Sequence, residues 1–137
     1  QAGIKTHDIT TKIYDTKKVS SILLFSAVLS TLETSENKKV AWAVVSKSVI
    51  DRFNAKAEDL VGLVDHIRSI GGIEVAILFR EEKDQVKVNF RSKDKINVSL
   101  IAKKFAGGGH VRAAGAIFNE DIDSVKKKVL DEVLSLT

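Results

Sequence analysis

The chain has 137 residues, which suffices for one domain with a well-buried core. It contains no cysteine, so disulfides and cysteine-bound metals are excluded, and it has no apolar run long enough to span a membrane. The lack of methionine predicts a piece of a longer protein, and the lack of a secretory signal makes the cytoplasm the expected location. The formal net charge is +4, and residues 80–112 carry nine basic against four acidic side chains. This local excess fits an anionic partner or a solvated basic surface.

Helix and strand patterns alternate along the first half of the chain. Residues 1–15 are polar, and we interpret them as a connector. Apolar residues recur through Lys17–Leu32 and predict a helix that is largely buried. The β-branched run Val40–Ser46 predicts a buried strand. A short helix that ends at Phe53 and a longer one over Ala57–Ile67 are predicted next.

Two alternating runs in the middle of the chain predict a β-hairpin. The first covers Ile73–Arg80, with Ile73 and Val75 expected on one face of the strand. The second covers Val86–Ser92, and polar residues between the two runs form the turn. The period of two puts Arg91 on the solvent face of the second strand, near its end.

The last third of the chain predicts a helix, a strand and a final helix. Asn97 can cap a helix that ends near Phe105. The run Gly115–Phe118 indicates a strand, and a helix that begins after Asn119 or Asp121 closes the chain. The interleaved order predicts an α/β fold of the α+β type. Its mixed β-sheet has about five strands, includes the hairpin and is flanked by helices.

The stretch Phe105–Gly115, F-A-G-G-G-H-V-R-A-A-G, joins the predicted helix to the next strand. Three successive glycines let a ligand approach the backbone closely, and neighbouring N–H groups can converge on an anion. A helical turn over His110–Ala114 would add further free N–H groups. His110 supplies a donor that can also accept, and the guanidinium groups of Arg91 and Arg112 suit phosphate. This combination predicts a phosphate-binding loop.

The segment Gly107–Gly115, G-G-G-H-V-R-A-A-G, resembles the signature of the DHH-associated C-terminal domain of Asp-His-His phosphoesterases. The similarity continues in I-R-S-I-G-G-I-E-V-A-I-L-F-R-E from Ile67, V-K-V-N-F-R-S-K from Val86 and N-V-S-L-I-A-K-K-F from Asn97. With I-Y-D-T-K-K from Ile13, these segments are similar to the nanoRNase and oligoribonuclease-like branch of that family.

The resemblance implies a parent protein with two lobes. Its N-terminal lobe holds two divalent ions, usually manganese, through Asp and His ligands, and the ions activate water for phosphoester hydrolysis. The C-terminal lobe, residues 16–137 here, binds the substrate, and residues 1–15 connect the two lobes. The sequence has no D-H-H triplet and no Asp/His cluster with bimetal spacing. We therefore expect no catalytic residue and no metal ligand in this chain, which alone should be inactive.

The implied substrate contacts lie in two segments. The resemblance supplies residues of F-R-S and of the glycine stretch, and the chemistry of the loop adds Arg112: the full set is Arg91, Ser92, Gly107, Gly108, Gly109, His110 and Arg112. Family members often carry glycine where this chain has Ala106, whose methyl group is expected to tighten the loop slightly.

The expected partners are the parent's own N-terminal lobe and a phosphate-bearing substrate, with a homodimer also allowed and no membrane partner. The substrate is a short oligonucleotide or a small nucleotide such as 3′-phosphoadenosine 5′-phosphate. One alternative is a single-stranded nucleic-acid binding module, as in RecJ-type exonucleases or the similar domain of alanyl-tRNA synthetases, which would use aromatic stacking platforms. Further alternatives are the lobe of a cyclic-dinucleotide phosphodiesterase and a non-catalytic nucleotide sensor or dimerisation module.

Overall fold

A computed structural model describes residues 19–137, so the predicted connector 1–15 and the first two residues of the predicted first helix lie outside the described part. The helices are α1 Val19–Leu29, α2 Lys47–Phe53, α3 Ala57–Arg68, α4 Val98–Lys104 and α5 Ile122–Ser135. The strands are β1 Glu33–Thr34, β2 Val40–Val45, β3 Val75–Glu82, β4 Gln85–Ser92, β5 Gly108–His110 and β6 Ala113–Phe118.

The strands form one mixed sheet in the order β1-β2-β3-β4-β6-β5. Strands β2 and β3 run parallel, and all other neighbours are antiparallel. The predicted α+β class, the mixed sheet and the β3–β4 hairpin are confirmed. The residues that the structure describes contain six strands instead of about five, because two short edge strands, β1 and β5 in the glycine stretch, add to the four predicted runs.

Strand β3 lies at the centre of the core and is buried on both faces. Val75, with Ile77 and Phe79, packs towards α4 and α5, whereas Ala76 and Leu78 pack towards α1 and α3. The prediction that Ile73 shares a face with Val75 is wrong. Ile73 precedes the strand and packs in the cluster on the opposite side of the sheet. A strand with helices on both sides needs no alternation of apolar and polar residues.

Helix α1 is much less buried than its apolar sequence predicted. Only Leu24 and Val28 are buried, whereas Val19 is 72% and Ile22 59% exposed. The prediction of a largely buried helix is therefore wrong: the helix buries only a narrow stripe against α2 and β2. With 11 residues it is short, and none of the helices within residues 19–137 has both the length and the apolar character to cross a bilayer.

Candidate functional site

The glycine stretch begins where α4 ends. Asn97 caps the start of this helix as predicted, since its Oδ1 accepts from the Ser99 N–H at 3.0 Å. At the other end the N–H of Gly107 donates to the Ala102 carbonyl at 2.8 Å, which closes a Schellman-type cap. In this cap Ala106 has a φ of 62°, the left-handed conformation that glycine adopts at least cost. The methyl group of Ala106 therefore strains the cap, and glycine suits the position better.

After the cap, the chain forms an extended strand and no helical turn. Gly108–His110 is β5, which pairs antiparallel with β6. The helical turn over His110–Ala114 that would have added free N–H groups is not formed, because Ala113 and Ala114 already belong to β6. A nest of convergent N–H groups at a helix start is thus not formed, and some of these N–H groups serve the strand ladder.

The three glycines differ in what surrounds them. A Cβ on Gly107 would lie 2.1 Å from the carbonyl oxygen of Gly115. A Cβ on Gly109 would lie 2.5 Å from the Ala113 oxygen, and its φ of 146° disfavours any side chain. A Cβ on Gly108 would meet no atom of the described part of the chain within 4 Å. Gly107 and Gly109 are therefore required for packing against β6, whereas Gly108 faces open space.

Cross-strand pairing brings two of the predicted site residues into one row. Arg91 of β4 is opposite Ala113 of β6, and Ala113 is opposite His110 of β5. The next row on the same face holds Asn89, Gly115 and Gly108. We call these two rows the shelf: it comprises Asn89, Arg91, Gly108, His110, Ala113 and Gly115.

The shelf is partly exposed: His110 is exposed, and the other five residues are half-buried. Helix α3 packs over β3 and β4 on this face, but His110 is exposed at the sheet edge and Ile117 of β6 is 56% exposed. In this row of the described sheet, Ala113 with its single methyl group lies between Arg91 and His110. A ligand can therefore approach the backbone of β6 between a guanidinium and an imidazole.

The alternation along β4 predicted Arg91 on the solvent face of the strand. In the structure Arg91 does not lie there. Its side chain is only 13% exposed, because α3 covers this end of β4. Nε donates to Asp65 Oδ1 at 3.1 Å and Nη1 to the Phe90 carbonyl at 2.9 Å. Nη2 has no hydrogen-bond partner among the described residues, so it can still bind a ligand. Asp65 also lies 3.6 Å from the Nη2 of Arg68, so one carboxylate neighbours two guanidinium groups.

Ser92 and Arg112 hold the loop between β4 and α4. Ser92 is 1% exposed, and its hydroxyl donates to the Ile96 carbonyl at 2.6 Å. The Nη1 of Arg112 donates to the same carbonyl at 3.0 Å, and its Nη2 donates to the carbonyl of Asp94. Both side chains thus brace the loop against the β5–β6 turn. A direct contact of either residue with substrate stays a prediction.

Sequence reasoning missed Asp65 and Asn89. Alternation along β4 does put Asn89 on the same face as Arg91, two residues earlier, but gives no reason to include it in the site. No local signal identifies Asp65, because it is 26 positions from Arg91 in the sequence. Within residues 19–137, no three histidine or acidic side chains come together as candidate metal ligands.

The DHHA1 domain family matches residues 37–136, which is well over half of the chain. The protein therefore belongs to the DHHA1 domain family, and the resemblance seen in the sequence is confirmed.

Among relatives, the chain is 31% identical over 116 residues to the bifunctional oligoribonuclease and PAP phosphatase NrnA of Bacillus subtilis, covering 85% of this chain and 36% of that protein. It is 40% identical over 78 residues to the protein of the same description from Thermus thermophilus, covering 56% of this chain and 23% of that protein. A crystal structure of an exopolyphosphatase-related protein from Bacteroides fragilis is similar with a TM-score of 0.81 and 28% identity, over 98% of this chain and 41% of the other. The chain thus spans well under half the length of each of these proteins.

Proposed function

We propose that this chain is the substrate-binding lobe of a divalent-metal-dependent phosphoesterase that hydrolyses short oligonucleotides or small nucleotides such as 3′-phosphoadenosine 5′-phosphate. One observation carries the proposal: Arg91 and His110 flank Ala113 in a single cross-strand row whose β5 end is exposed. The Bacillus subtilis and Thermus thermophilus relatives are bifunctional oligoribonucleases and PAP phosphatases, which supports both substrate types.

The row has the dimensions and the chemistry for a phosphate group. Arg91 and His110 are two strand spacings apart, which is about 9.6 Å between their backbones. Side chains that lean inwards from both sides can reach one phosphate above Ala113. The guanidinium of Arg91 supplies a positive charge and an Nη2 that has no hydrogen-bond partner within residues 19–137, while His110 supplies an imidazole that can donate a hydrogen bond.

The proposed division of labour leaves the hydrolytic step to the other lobe. Manganese would activate water there, and this chain would bind and orient the phosphate without cutting it. On this proposal, residues 16–137 act as the binding lobe and no residue among them is catalytic. Manganese dependence, cytoplasmic location and a homodimer stay predictions.

A single-stranded nucleic-acid module of the RecJ type is less well supported. Such modules stack successive bases on exposed aromatic rings. Here Phe79 and Phe90 are fully buried, and Phe105 packs against the ring of Phe118 at 5.3 Å between centroids. The shelf itself carries no aromatic ring other than the imidazole of His110.

The test is a titration of the chain with adenosine 5′-monophosphate, monitored by ¹⁵N NMR of the arginine side chains and the backbone. The Arg91 Nε signal and the His110 signals should shift. Arg91→Ala and His110→Ala should each weaken binding about tenfold to a hundredfold, since a charge-assisted hydrogen bond contributes about 1.5–3 kcal/mol. Arg91→Lys should recover only part of the loss, because lysine lacks the bidentate fork.

Matched controls separate site effects from surface effects. Arg52→Ala removes an exposed arginine that stacks on Phe53, 5.0 Å from the ring centroid. His66→Ala removes an exposed histidine beside Phe25. Both variants should bind as the parent chain does. Unchanged affinity in Arg91→Ala and His110→Ala, with intact melting curves, would contradict the proposed function.

A further inference from the structure

Asn89 carries an amide group that the fold does not use. Its Oδ1 is buried without a hydrogen-bond partner, and among residues 19–137 its side chain makes no hydrogen bond at all. Leaving such a group unpaired is costly, so buried amides in native proteins are nearly always paired, with protein or with something else. The side chain of Asn89 therefore needs a role outside the hydrogen-bond network of the domain.

The surroundings of Asn89 are bare on one side. Its Nδ2 lies 3.6 Å from the position that a Cβ on Gly115 would occupy. Beyond Gly115 in the same row is Gly108, where a Cβ would have no neighbour within 4 Å among residues 19–137. The amide thus leans over a strip of backbone that carries no side chains. A flat group can lie on such a strip at the closest approach that a sheet allows.

The strip lies next to the row of Arg91 and His110. Asn89 is two residues from Arg91 along β4, which corresponds to about 6.8 Å and to the same face of the sheet. A nucleotide has this layout: a planar base at one end, separated by the ribose from its phosphate.

We infer that Asn89 binds the edge of the nucleobase of a nucleotide whose phosphate occupies the row of Arg91 and His110; this inference rests on the proposed function. An amide donates from Nδ2 and accepts at Oδ1, which matches base edges where a donor and an acceptor are adjacent. No hydrogen bond from the described residues, 19–137, fixes the orientation of the Asn89 side chain. A turn about its last torsion therefore exchanges the two atoms and presents either one to the base. Asn89 is then a contact that accepts different bases but requires that a base be present.

The experiment compares two probes that differ only in the base. Adenosine 5′-monophosphate carries it, whereas ribose 5-phosphate does not. The side-chain NH₂ signals of Asn89 should shift with adenosine 5′-monophosphate and stay in place with ribose 5-phosphate, while Arg91 and His110 respond to both. Asn89→Ala should lower the affinity for adenosine 5′-monophosphate about three- to tenfold, the range for one neutral hydrogen bond. Its affinity for ribose 5-phosphate should stay the same.

Melting curves and a control variant make the result decisive. Asn89→Ala should melt at or above the temperature of the parent chain, because it removes an unpaired buried group. Asn119→Ala, at an exposed asparagine, should bind both probes normally.

If Arg91 and His110 respond to adenosine 5′-monophosphate but Asn89 does not, the inference is overturned and the proposed function stands. An equal response of Asn89 to ribose 5-phosphate would assign the amide to the sugar and also overturn the base contact. If neither probe moves Arg91 or His110, the proposed function and the inference both fail.

Discussion

Alanine substitutions of the three successive glycines, made one at a time, should differ in their effects on stability and on ligand affinity. In Gly107→Ala the new methyl group would need the space of the Gly115 oxygen, 2.1 Å away, and of the Ala116 Cα and Cβ at 2.8 Å. These atoms belong to the backbone or are attached directly to it, so they cannot rotate away. The clash can therefore be relieved only if β6 moves away from the end of α4. Overpacking usually costs about 1–3 kcal/mol, and a clash with backbone belongs at or above the upper end of that range.

Gly109→Ala combines a clash with backbone strain. Its methyl group would lie 2.5 Å from the Ala113 oxygen, and a φ of 146° adds about 1–3 kcal/mol for a residue with a side chain. We expect a loss of at least about 3 kcal/mol for each of these two variants. In a domain of this size that corresponds to a melting temperature lower by roughly 10 °C or more.

Gly108→Ala should fold as well as the parent chain or better. Its Cβ meets nothing within 4 Å, and replacing a compatible glycine stabilises by about 0.4–1 kcal/mol through the unfolded state. The methyl group nevertheless projects from the shelf, where the nucleotide is proposed to lie. Affinity for adenosine 5′-monophosphate should fall about tenfold or more, as when a methyl group is forced into a fitted site.

Thermal melting followed by circular dichroism, together with the NMR titration, measures both effects in the same samples. Similar melting temperatures for all three variants would refute the packing of the glycine stretch against β6. A stable Gly108→Ala variant with unchanged affinity would refute the use of the shelf as the binding surface.

Three further predictions concern stability. Ala106→Gly should raise the free energy of unfolding by about 0.5–1 kcal/mol in a denaturant titration, because glycine adopts the φ of 62° at this cap without strain. Ser92→Ala should lower it by only about 1 kcal/mol, because the Ile96 carbonyl keeps its second donor, the Nη1 of Arg112; a loss several times larger would contradict that sharing. The hydrogen bonds from Lys128 and Ser124 hold the pKa of Glu120 below its usual value of 4.5. Because its pKa is lowered in the folded state, ionised Glu120 stabilises the fold above pH 4.5. This stabilisation is lost as the pH falls through the pKa that Glu120 has in the folded state. Melting at low salt should therefore show a smaller acid loss for Glu120→Gln than for the parent chain, and equal losses would exclude this contribution.

Local patterns were reliable wherever the structure depends on neighbours in the sequence. The β3–β4 hairpin follows from alternation, and the buried face of α3 follows from helical spacing. The Asn97 cap follows from a side chain that bonds two residues away. The family resemblance also rests on ordered local motifs, and for this reason it was visible in the sequence.

Burial of whole elements was not predictable in the same way. The apolar residues of α1 exceed what its neighbours cover, so Ile22 remains exposed. Arg91 alternates as expected along β4, but α3 lies over that end of the strand and Asp65 accepts from its Nε. Alternation defines two faces of a strand, and only packing decides which elements cover each face.

By itself, the sequence determined the class of fold, the family and the importance of the glycine stretch, because these depend on composition, spacing and motif. The tertiary structure decided what the stretch is: a helix cap that ends at Gly107 and an edge strand after it, in which a Cβ fits at Gly108 but not at Gly107 or Gly109. It also aligned His110 with Arg91, and Asn89 with two glycines, across three strands. Cross-strand register joins residues that are far apart in the chain, and no local pattern records it.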